Sequence, residues 1–318
     1  MVDTLVLPRT IQTPPEPSGF NCFYRKHRNL IVGLLFISPW IVGFVAFLLY
    51  PILYTLQISF TRYSGFGEPV PVGLENYQHM LNDSVFWIAV GNTAFYLALA
   101  VPIGVVVAMV LALAMNQPVR EVSIYRAILY LPSILPLFAL SFVYLALLHP
   151  SRGIFNQFLI NLGLPNINWL GDPQYSKIAL VMLAQFGAGQ AALIFLAALK
   201  GIPPSFHEAA MLDGASAWRR FWGITLPLMT PVILYDLILG LSLGIQIFTQ
   251  VFIIFGSDPP GSPANSTMMY VVYLYLNGFR YSQMGYAAAL ALVLFVVTLI
   301  LAMLVFRWSR SWVHYEGA

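Results

Sequence analysis

The amino-acid sequence predicts an all-α integral membrane protein with six transmembrane helices. Of its 318 residues, 59% are hydrophobic and only 8% are charged, and the mean hydropathy is +0.78. A soluble domain carries about 25% charged residues, so this chain could not cover a water-facing surface. The apolar residues are also grouped into long runs. Together these features exclude a soluble enzyme.

The apolar runs have the length of membrane spans. A helix needs about 20 apolar residues to cross a bilayer core of about 30 Å, and backbone groups in lipid must bond within their own segment. Prolines in the runs (Pro39, Pro102, Pro132 and Pro136) predict kinks. A seventh run, Met268–Leu276, is too short to cross and is expected to lie at the membrane surface or to pack against the last span. The six predicted spans are Leu30–Tyr50, Phe86–Met115, Ala127–Leu148, Ile178–Leu199, Val232–Phe255 and Tyr286–Phe306.

The distribution of Lys and Arg predicts that both termini are cytoplasmic, because cytoplasmic loops carry an excess of these residues. The predicted inside segments hold eleven of them: Arg9, Arg25, Lys26, Arg28, Arg120, Arg126, Lys200, Arg219, Arg220, Arg307 and Arg310. The predicted outside segments hold four: Arg62, Arg152, Lys177 and Arg280. The chain then divides into a cytoplasmic tail of residues 1–29, a transmembrane domain of residues 30–306 and a cytoplasmic tail of residues 307–318.

The inside loop of residues 200–231 is expected to form two short helices. Ser205 with Glu208 fits the S-x-x-E capping box, and Gly214 supplies a stop where a positive φ is expected. The second helix is expected from about Ser216, before the chain returns to the membrane at Pro227 and Pro231. The apolar face of the first helix needs cover, either from the ends of its own bundle or from a partner.

This loop resembles the EAA motif of permease subunits of bacterial ABC importers. The matching residues are Glu208-Ala-Ala, Asp213-Gly-Ala and Ile224-x-Leu-Pro-x-x-x-Pro231, and Ile202-Pro with Phe221 is similar to the sugar-transporter (maltose-type) branch. The resemblance extends to length and topology over nearly the whole chain. It implies a type I importer permease bundle in the bacterial cell membrane, crossing it several times. It also implies a coupling helix that docks into a separate ATPase subunit through Glu208, Ala209, Ala210, Leu212, Asp213 and Gly214.

The same resemblance implies the partners of the chain. They are a second homologous permease subunit, two ATPase subunits, an extracytoplasmic solute-binding protein and membrane lipid. The sequence lacks GxxxxGK[ST], and its lysines are Lys26, Lys177 and Lys200, so ATP and Mg are expected on the ATPase subunits. No catalytic residue, metal site or cofactor is expected on this chain. A net charge of +3 is too small to indicate nucleic acid.

Polar residues inside the spans indicate a solute path, because such residues usually face a bundle interior. Hydrogen bonds between helices without a solute are the alternative. Amides and hydroxyls suit sugar hydroxyls, and the absence of Lys and Arg from the predicted spans favours a neutral saccharide. The family places its cavity on the spans that flank the EAA loop. In the fifth span Ser242, Gln246, Thr249 and Gln250 would share one helix face, and the fourth adds Gln185, Gly187 and Gln190.

Two further patterns admit another interpretation. Asp236 is the one charged residue in the predicted spans, so an ion-coupled secondary transporter is the alternative function, although no clear repeat relates the first three spans to the last three. Gly187-Ala-Gly189-Gln-Ala-Ala imitates a dinucleotide fingerprint, but it lies within a span. Its small residues are expected to permit close packing of helices.

Overall fold

The computed structural model describes residues 19–256 and 261–314, with side chains from Arg28 onward except that of Ile31. Residues 1–18 of the predicted N-terminal tail and residues 315–318 of the C-terminal tail lie outside the described residues. The chain divides into two compact units, Met1–Thr55 and Leu56–Ala318.

The first unit is helical wherever it is described. Helix α1 (Gly19–Phe44) begins before the predicted start at Leu30, and the π-helical turn Val45–Leu49 joins it to α2 (Tyr50–Ser59). Pro39 lies inside α1 without ending it. The surface of α1 consists mainly of exposed apolar side chains, as is typical of a helix that lies in lipid.

The second unit holds the remaining elements. Two short strands pair antiparallel, with Thr61 opposite Pro71 and Arg62 opposite Val70. In chain order the elements are β1 (Thr61–Arg62), β2 (Val70–Pro71), α3 (Glu75–Asn82), α4 (Ser84–Met115), α5 (Val122–Ile134), α6 (Leu137–Leu147), α7 (Ile154–Asn161), α8 (Pro173–Ala184), α9 (Ala188–Gly201), α10 (Pro204–Leu212), α11 (Ala217–Arg220), α12 (Leu226–Gly244), α13 (Thr249–Phe255), α14 (Tyr270–Tyr275) and α15 (Met284–Ser309).

The prediction of an all-α membrane protein with six spans is confirmed. In the described residues five helical runs are long and apolar enough to cross a membrane, and the bent pair α5–α6 makes a sixth when counted as one span. The five runs are Arg28–Ser59, Ser84–Met115, Pro173–Gly201, Ala217–Gly244 and Met284–Ser309.

The third span differs from the single helix predicted over Ala127–Leu148. Helices α5 and α6 meet at an angle of 99°. Leu135, which precedes Pro136, is extended with a ψ of 133°, because a proline ring disfavours the helical conformation in the residue before it. Pro136 then precedes α6, whereas Pro132 remains inside α5. One of the two prolines therefore breaks this span.

The fifth span is also shorter than predicted. Helix α12 ends at Gly244, and Phe248, with φ −139° and ψ −62°, separates it from α13. The N–H of Ile247 donates to the carbonyl of Gly244, three residues earlier, across 3.2 Å. This hydrogen bond forms a turn in place of the α-helical hydrogen bond to the residue four positions earlier. The single helix predicted over Val232–Phe255 is therefore wrong.

Helix α4 lies at the centre of the second unit and packs against α8, α9, α12 and α14. Small buried residues line the seam with α9, among them Ala108, Ala112 and Ala192, all with 0% exposure. Small residues let helix backbones approach each other in a membrane, where lipid supplies no hydrophobic drive between helices. A further contact joins α6 to α8, where the hydroxyl of Tyr144 donates to the carbonyl of Ala179 across 2.8 Å.

The run Met268–Leu276 packs inside the bundle, as one of its two predicted placements required. It contains α14, which the π-helical turn Leu276–Arg280 extends. The hydroxyl of Tyr270 donates to the carbonyl of Leu290 in the last span, across 2.8 Å. Its backbone N–H donates to the Thr93 hydroxyl of α4 across 2.9 Å. The expectation of packing against the last span is therefore confirmed.

Candidate functional site

Helix α10 projects from the bundle between the fourth and fifth candidate spans. None of its nine residues is buried in the described structure. The apolar side chains of Phe206, Met211 and Leu212 are 49%, 51% and 90% exposed. Of the two alternatives for the cover of this helix, packing on the ends of its own bundle is thus not observed. The apolar side chains remain available to another molecule.

The start of α10 differs from the predicted capping box. The helix begins at Pro204, and its N-cap residue, Pro203, makes no side-chain cap hydrogen bond. Ser205 is therefore already the second helical residue, and its hydroxyl is misplaced for the box with Glu208. A proline at the first helical position is favourable because its fixed φ suits the helix and its missing N–H loses no helical hydrogen bond.

The end of α10 confirms the prediction for Gly214, whose φ is +77°. Its N–H donates to the carbonyl of Met211 across 3.0 Å, and the N–H of Ala215 donates to that of Ala210 across 2.9 Å. This pair of hydrogen bonds is the Schellman motif, which satisfies the last carbonyls of a helix. The chain therefore reverses sharply after Asp213.

The second helix of the loop begins where predicted, since the hydroxyl of Ser216 accepts from the N–H of Arg219. It does not stop before the membrane. Helix α11, the π-helical turn Phe221–Thr225 and α12 form one continuous run of 28 residues, Ala217–Gly244. At 1.5 Å per residue this rod is about 40 Å long. Pro227 and Pro231 lie within α12. The predicted return to the membrane at these prolines therefore takes place within one continuous helical rod.

One turn interrupts the fourth span at its predicted path residues. A 3-10 turn, Gln185–Gly187, separates α8 from α9. The amide nitrogen of Gln185 donates to the carbonyls of Val181 (2.8 Å) and Ala100 (3.4 Å). Its oxygen is buried and accepts no hydrogen bond among the described residues. Gln185 therefore has an unused hydrogen-bond acceptor between α8 and α4. Leaving a buried acceptor unsatisfied costs about 1–3 kcal/mol.

The small residues after this turn have different surroundings. A Cβ on Gly189 would lie 2.2 Å from the hydroxyl oxygen of Ser133, whereas a Cβ on Gly187 would meet nothing within 4 Å. Gly187 and Gln190 are exposed on the helix surface. The interpretation as close helix packing is therefore confirmed at Gly189, against α5, but not at Gly187.

The predicted path residues of the fifth span do not share one continuous helix face, because α12 ends before three of them. Ser242 lies in the last turn of α12, Gln246 in the break, and Thr249 and Gln250 in the first turn of α13. The exposed amide of Gln246 donates to the carbonyl of Ser242 across 2.8 Å. Ser242 and Gln246 thus remain neighbours, while the other two residues belong to a separate helix.

The helical run of the fourth span is longer at both ends than the predicted Ile178–Leu199 and includes Lys177 and Lys200. The candidate span that contains α8 runs from Pro173 to Gly201, so Lys177 lies inside it rather than in an outside loop. The signal was present, since Asp172 caps α8 by accepting from the N–H of Gln174, and Pro173 follows it at the helix start. The predicted span Ile178–Leu199 itself contains no Lys or Arg, and the preference for a neutral solute stays a prediction.

The chain is similar to known membrane transport components. The family described as binding-protein-dependent transport system inner membrane component matches residues 100–314. The probable ABC transporter permease protein YesP of Bacillus subtilis is 36% identical over 299 residues, which are 92% of this chain and 96% of YesP. The lactose transport system permease protein LacF of Rhizobium radiobacter is 33% identical over 285 residues, which are 88% of this chain and 94% of LacF.

The fold is also that of a solved transporter. The structure of a bacterial alginate ABC transporter, in complex with a periplasmic protein bound to an alginate pentasaccharide, superposes with a TM-score of 0.77. It covers 91% of this chain and 97% of that chain at 23% identity, so the likeness concerns the fold. A match over residues 100–314 and relatives that align over most of both lengths lead to one conclusion. The chain belongs to the binding-protein-dependent transport system inner membrane component family, as a multi-pass ABC transporter permease of the inner membrane.

Proposed function

We propose that this permease imports a carbohydrate and that separate subunits hydrolyse the ATP that drives the import. The observation that carries the proposal is the projecting helix α10, followed at the Gly214 reversal by the rod Ala217–Gly244. The rod has Ser242 near its far end. A movement imposed on α10 by a partner would therefore reach Ser242 through the short reversal of residues 213–216 and one continuous rod.

The coupling surface consists of the α10 side chains that the bundle leaves uncovered. Leu212 is 90% exposed, and burying a leucine fully stabilises an interface by about 1.5–3 kcal/mol. Glu208, Ala209, Ala210, Asp213 and Gly214 complete the surface that we assign to an ATPase subunit. In this arrangement ATP and Mg bind to that subunit, and the permease has no catalytic residue of its own.

The partners are assigned from the family and from its relatives. We assign two ATPase subunits, a second homologous permease and an extracytoplasmic solute-binding protein. The solved alginate transporter is in complex with a periplasmic protein bound to a pentasaccharide, which supports the last assignment. With both termini in the cytoplasm, as the Lys and Arg distribution predicts, α10 lies on the ATPase side of the membrane and α3 and α7 on the outer side.

A carbohydrate suits the polar groups that we assign to the path. They offer amide and hydroxyl groups, which donate to and accept from sugar hydroxyls. LacF is named as a lactose transport permease, and a further relative, AraP of Bacillus subtilis, as an arabinooligosaccharide transport permease. The assigned path residues are Gln185, Gly187, Gln190, Ser242, Gln246, Thr249 and Gln250.

Reconstitution tests the proposal. The purified chain alone and the complete complex with its binding protein are placed in proteoliposomes, and ATP hydrolysis and uptake of labelled saccharides are measured. We expect background hydrolysis from the chain alone and saccharide-stimulated hydrolysis from the complex, with uptake that needs ATP and survives an ionophore. Uptake that continues without ATP and stops with the ionophore would instead establish a secondary transporter.

A further inference from the structure

Three spans lose regular α-helical geometry where they meet. In α4, Pro102 has no N–H to donate to the carbonyl four residues earlier, that of Ala98. The fourth span changes to a 3-10 turn at Gln185–Gly187, between α8 and α9. The third span bends by 99° at Leu135 and Pro136, between α5 and α6. We refer to these three interruptions together as the break layer.

Gln185 joins the second interruption to the first. Its amide nitrogen donates to the carbonyl of Ala100, across 3.4 Å, on one side of Pro102. Its amide oxygen lies 3.6 Å from the position of a Cβ on Gly104, on the other side of that proline. The oxygen accepts no hydrogen bond among the described residues. The side chain therefore loses only one interhelical hydrogen bond when the two spans move relative to each other.

Ser133 joins the second interruption to the third. It lies two residues before Leu135, and its hydroxyl donates to the carbonyl of Phe186 across 3.3 Å. A Cβ on Gly189 would overlap with the same hydroxyl, so α5 and α9 are in close contact here. The three interruptions are therefore neighbours in space, although they belong to three different spans.

The buried apolar residues form separate clusters on the two sides of the break layer. On the side of α10, one cluster contains the end of α4, from Ala108 onward, together with α9 and Ile202. On the side of α14, a second cluster contains the start of α4, up to Val101, together with α8 and α14. A third cluster joins α6 to α8 on that side. Each side of the layer thus has its own packed core.

The rod Ala217–Gly244 crosses the break layer without interruption. Met229, with 0% exposure, belongs to the core on the α10 side. Further along, Gly240 and Gly244 lie against α4, where Cβ atoms on them would come within 3.2 Å of side chains that precede the proline of that helix. Glycines four residues apart let two helices cross closely. The rod therefore connects the two sides, and it crosses α4 through its smallest residues.

We infer that the break layer is a hinge, at which the α10 side (α5, α9 and the end of α4) turns as one body against the α14 side (α6, α8 and the start of α4), with the rod as the lever between them. Hinges are short segments that absorb backbone changes between bodies that keep their own packing. Proline kinks and 3-10 turns within helices are typical places for such changes. Ile202 would pass the movement on, because it is buried in the core of the α10 side and lies two residues before α10. This inference rests on the proposed function, in which a partner moves α10.

Distances between spin labels test the hinge. Four exposed side chains supply the label positions: Tyr125 in α5 and Ile194 in α9 on the α10 side, and Phe142 in α6 and Ile178 in α8 on the α14 side. Each is replaced by cysteine, two at a time, in a Cys22→Ser chain, and the complete complex is assembled with cysteine-free partner subunits. Distances are measured without nucleotide and after trapping with ATP and vanadate, and ATP-driven saccharide uptake is measured on the same complexes.

The pairs within one side, Tyr125 with Ile194 and Phe142 with Ile178, should keep their distances to within about 1 Å. The pairs between the sides, Tyr125 with Ile178 and Ile194 with Phe142, should change by about 3 Å, which a rotation of about 15° produces about 12 Å from the hinge. Constant distances in all four pairs, in a complex that takes up saccharide, would show that the chain moves as one body and would overturn the hinge alone. Changes of equal size within and between the sides would also overturn it. Complexes without ATP-driven uptake of any saccharide would overturn the proposed function.

Pro102→Ala tests the hinge through transport. Alanine restores an N–H that can donate to the carbonyl of Ala98, so α4 should become stiffer at the break layer. We expect uptake to slow about fivefold, the equilibrium effect of one hydrogen bond, and the distances between the sides to change less, with ATPase binding within about twofold of native. Pro39→Ala, the same change inside α1, is the control and should leave uptake unchanged. Native uptake and native distance changes in Pro102→Ala would overturn the hinge at this layer.

Discussion

The backbone N–H of Ala215 donates to the carbonyl of Ala210 across 2.9 Å, and this hydrogen bond caps the C-terminal end of α10. It forms because Gly214 takes a φ of +77°. A residue with a Cβ is disfavoured there by about 1–2 kcal/mol. The direction in which α10 leaves the rod therefore depends on one glycine.

Gly214→Val should uncouple ATP hydrolysis from transport. A β-branched residue opposes the left-handed conformation, so the Schellman hydrogen bonds weaken and α10 loses its fixed direction. We expect normal insertion and folding, with weaker association of the ATPase subunit or hydrolysis without uptake. Copurification and uptake measure the two effects. Gly201→Val, at a glycine without a positive φ and with no atom within 4 Å of a Cβ, is the control. Normal uptake by Gly214→Val would show that this loop does not transmit movement.

Leu212→Asp should separate folding from assembly. The side chain is 90% exposed, so the charge has almost no effect on the stability of the permease itself. In a docked complex it would be buried, and the loss of about 1.5–3 kcal/mol of apolar burial should weaken ATPase binding at least tenfold. Ala210→Arg should act in the same way.

A titration of ATPase subunit against the purified permease measures this effect. Leu164→Asp, at a 50% exposed leucine in the turn after α7, supplies the matched control on the predicted outer side. Equal ATPase affinity for both variants and the native chain would remove α10 from the interface.

Gln246→Leu should reduce solute-stimulated hydrolysis while the complex still assembles. The exposed amide lies in the break after α12 and donates only locally, to the carbonyl of Ser242. Loss of its contact with a solute should weaken stimulation by about 1–3 kcal/mol. The control is Gln117→Leu, since Gln117 makes the same kind of hydrogen bond to Leu113 at the end of α4, across 3.2 Å. A Gln246 variant with native stimulation would place the path elsewhere.

Gly189→Val should destabilise the bundle, whereas Gly187→Val should leave stability nearly unchanged. The first substitution places atoms against Ser133 of α5, where even a Cβ would come within 2.2 Å of the hydroxyl oxygen. Overpacking of this kind costs about 1–3 kcal/mol. The second faces open space. Thermal unfolding in detergent compares the two variants, and equal melting temperatures would contradict the close packing of α9 on α5.

The sequence alone determined the class of the protein and the local structure of the loop that contains α10, because the rules that govern them are local. Backbone groups in lipid must be satisfied within their own segment, so apolar runs such as Phe86–Met115 predict helices without knowledge of their neighbours. Turn chemistry is equally local, and for this reason the positive φ of Gly214 and the cap at Ser216 were predictable. The misplaced capping box at Ser205 is an exception, since Pro203 and Pro204 admit more than one helix start.

The tertiary structure decided where helices break and what the polar side chains face. Pro102 and Pro132 remain inside helices while the chain bends sharply before α6 at Pro136, because a membrane helix keeps or loses its hydrogen bonds according to what neighbouring helices supply. The break after Gly244 also lies at a contact between helices, since α4 side chains pack against that glycine. The environment of Lys177 depends on α4 residues 82 and 85 positions earlier in the chain. A spacing pattern within one span contains no information about such contacts.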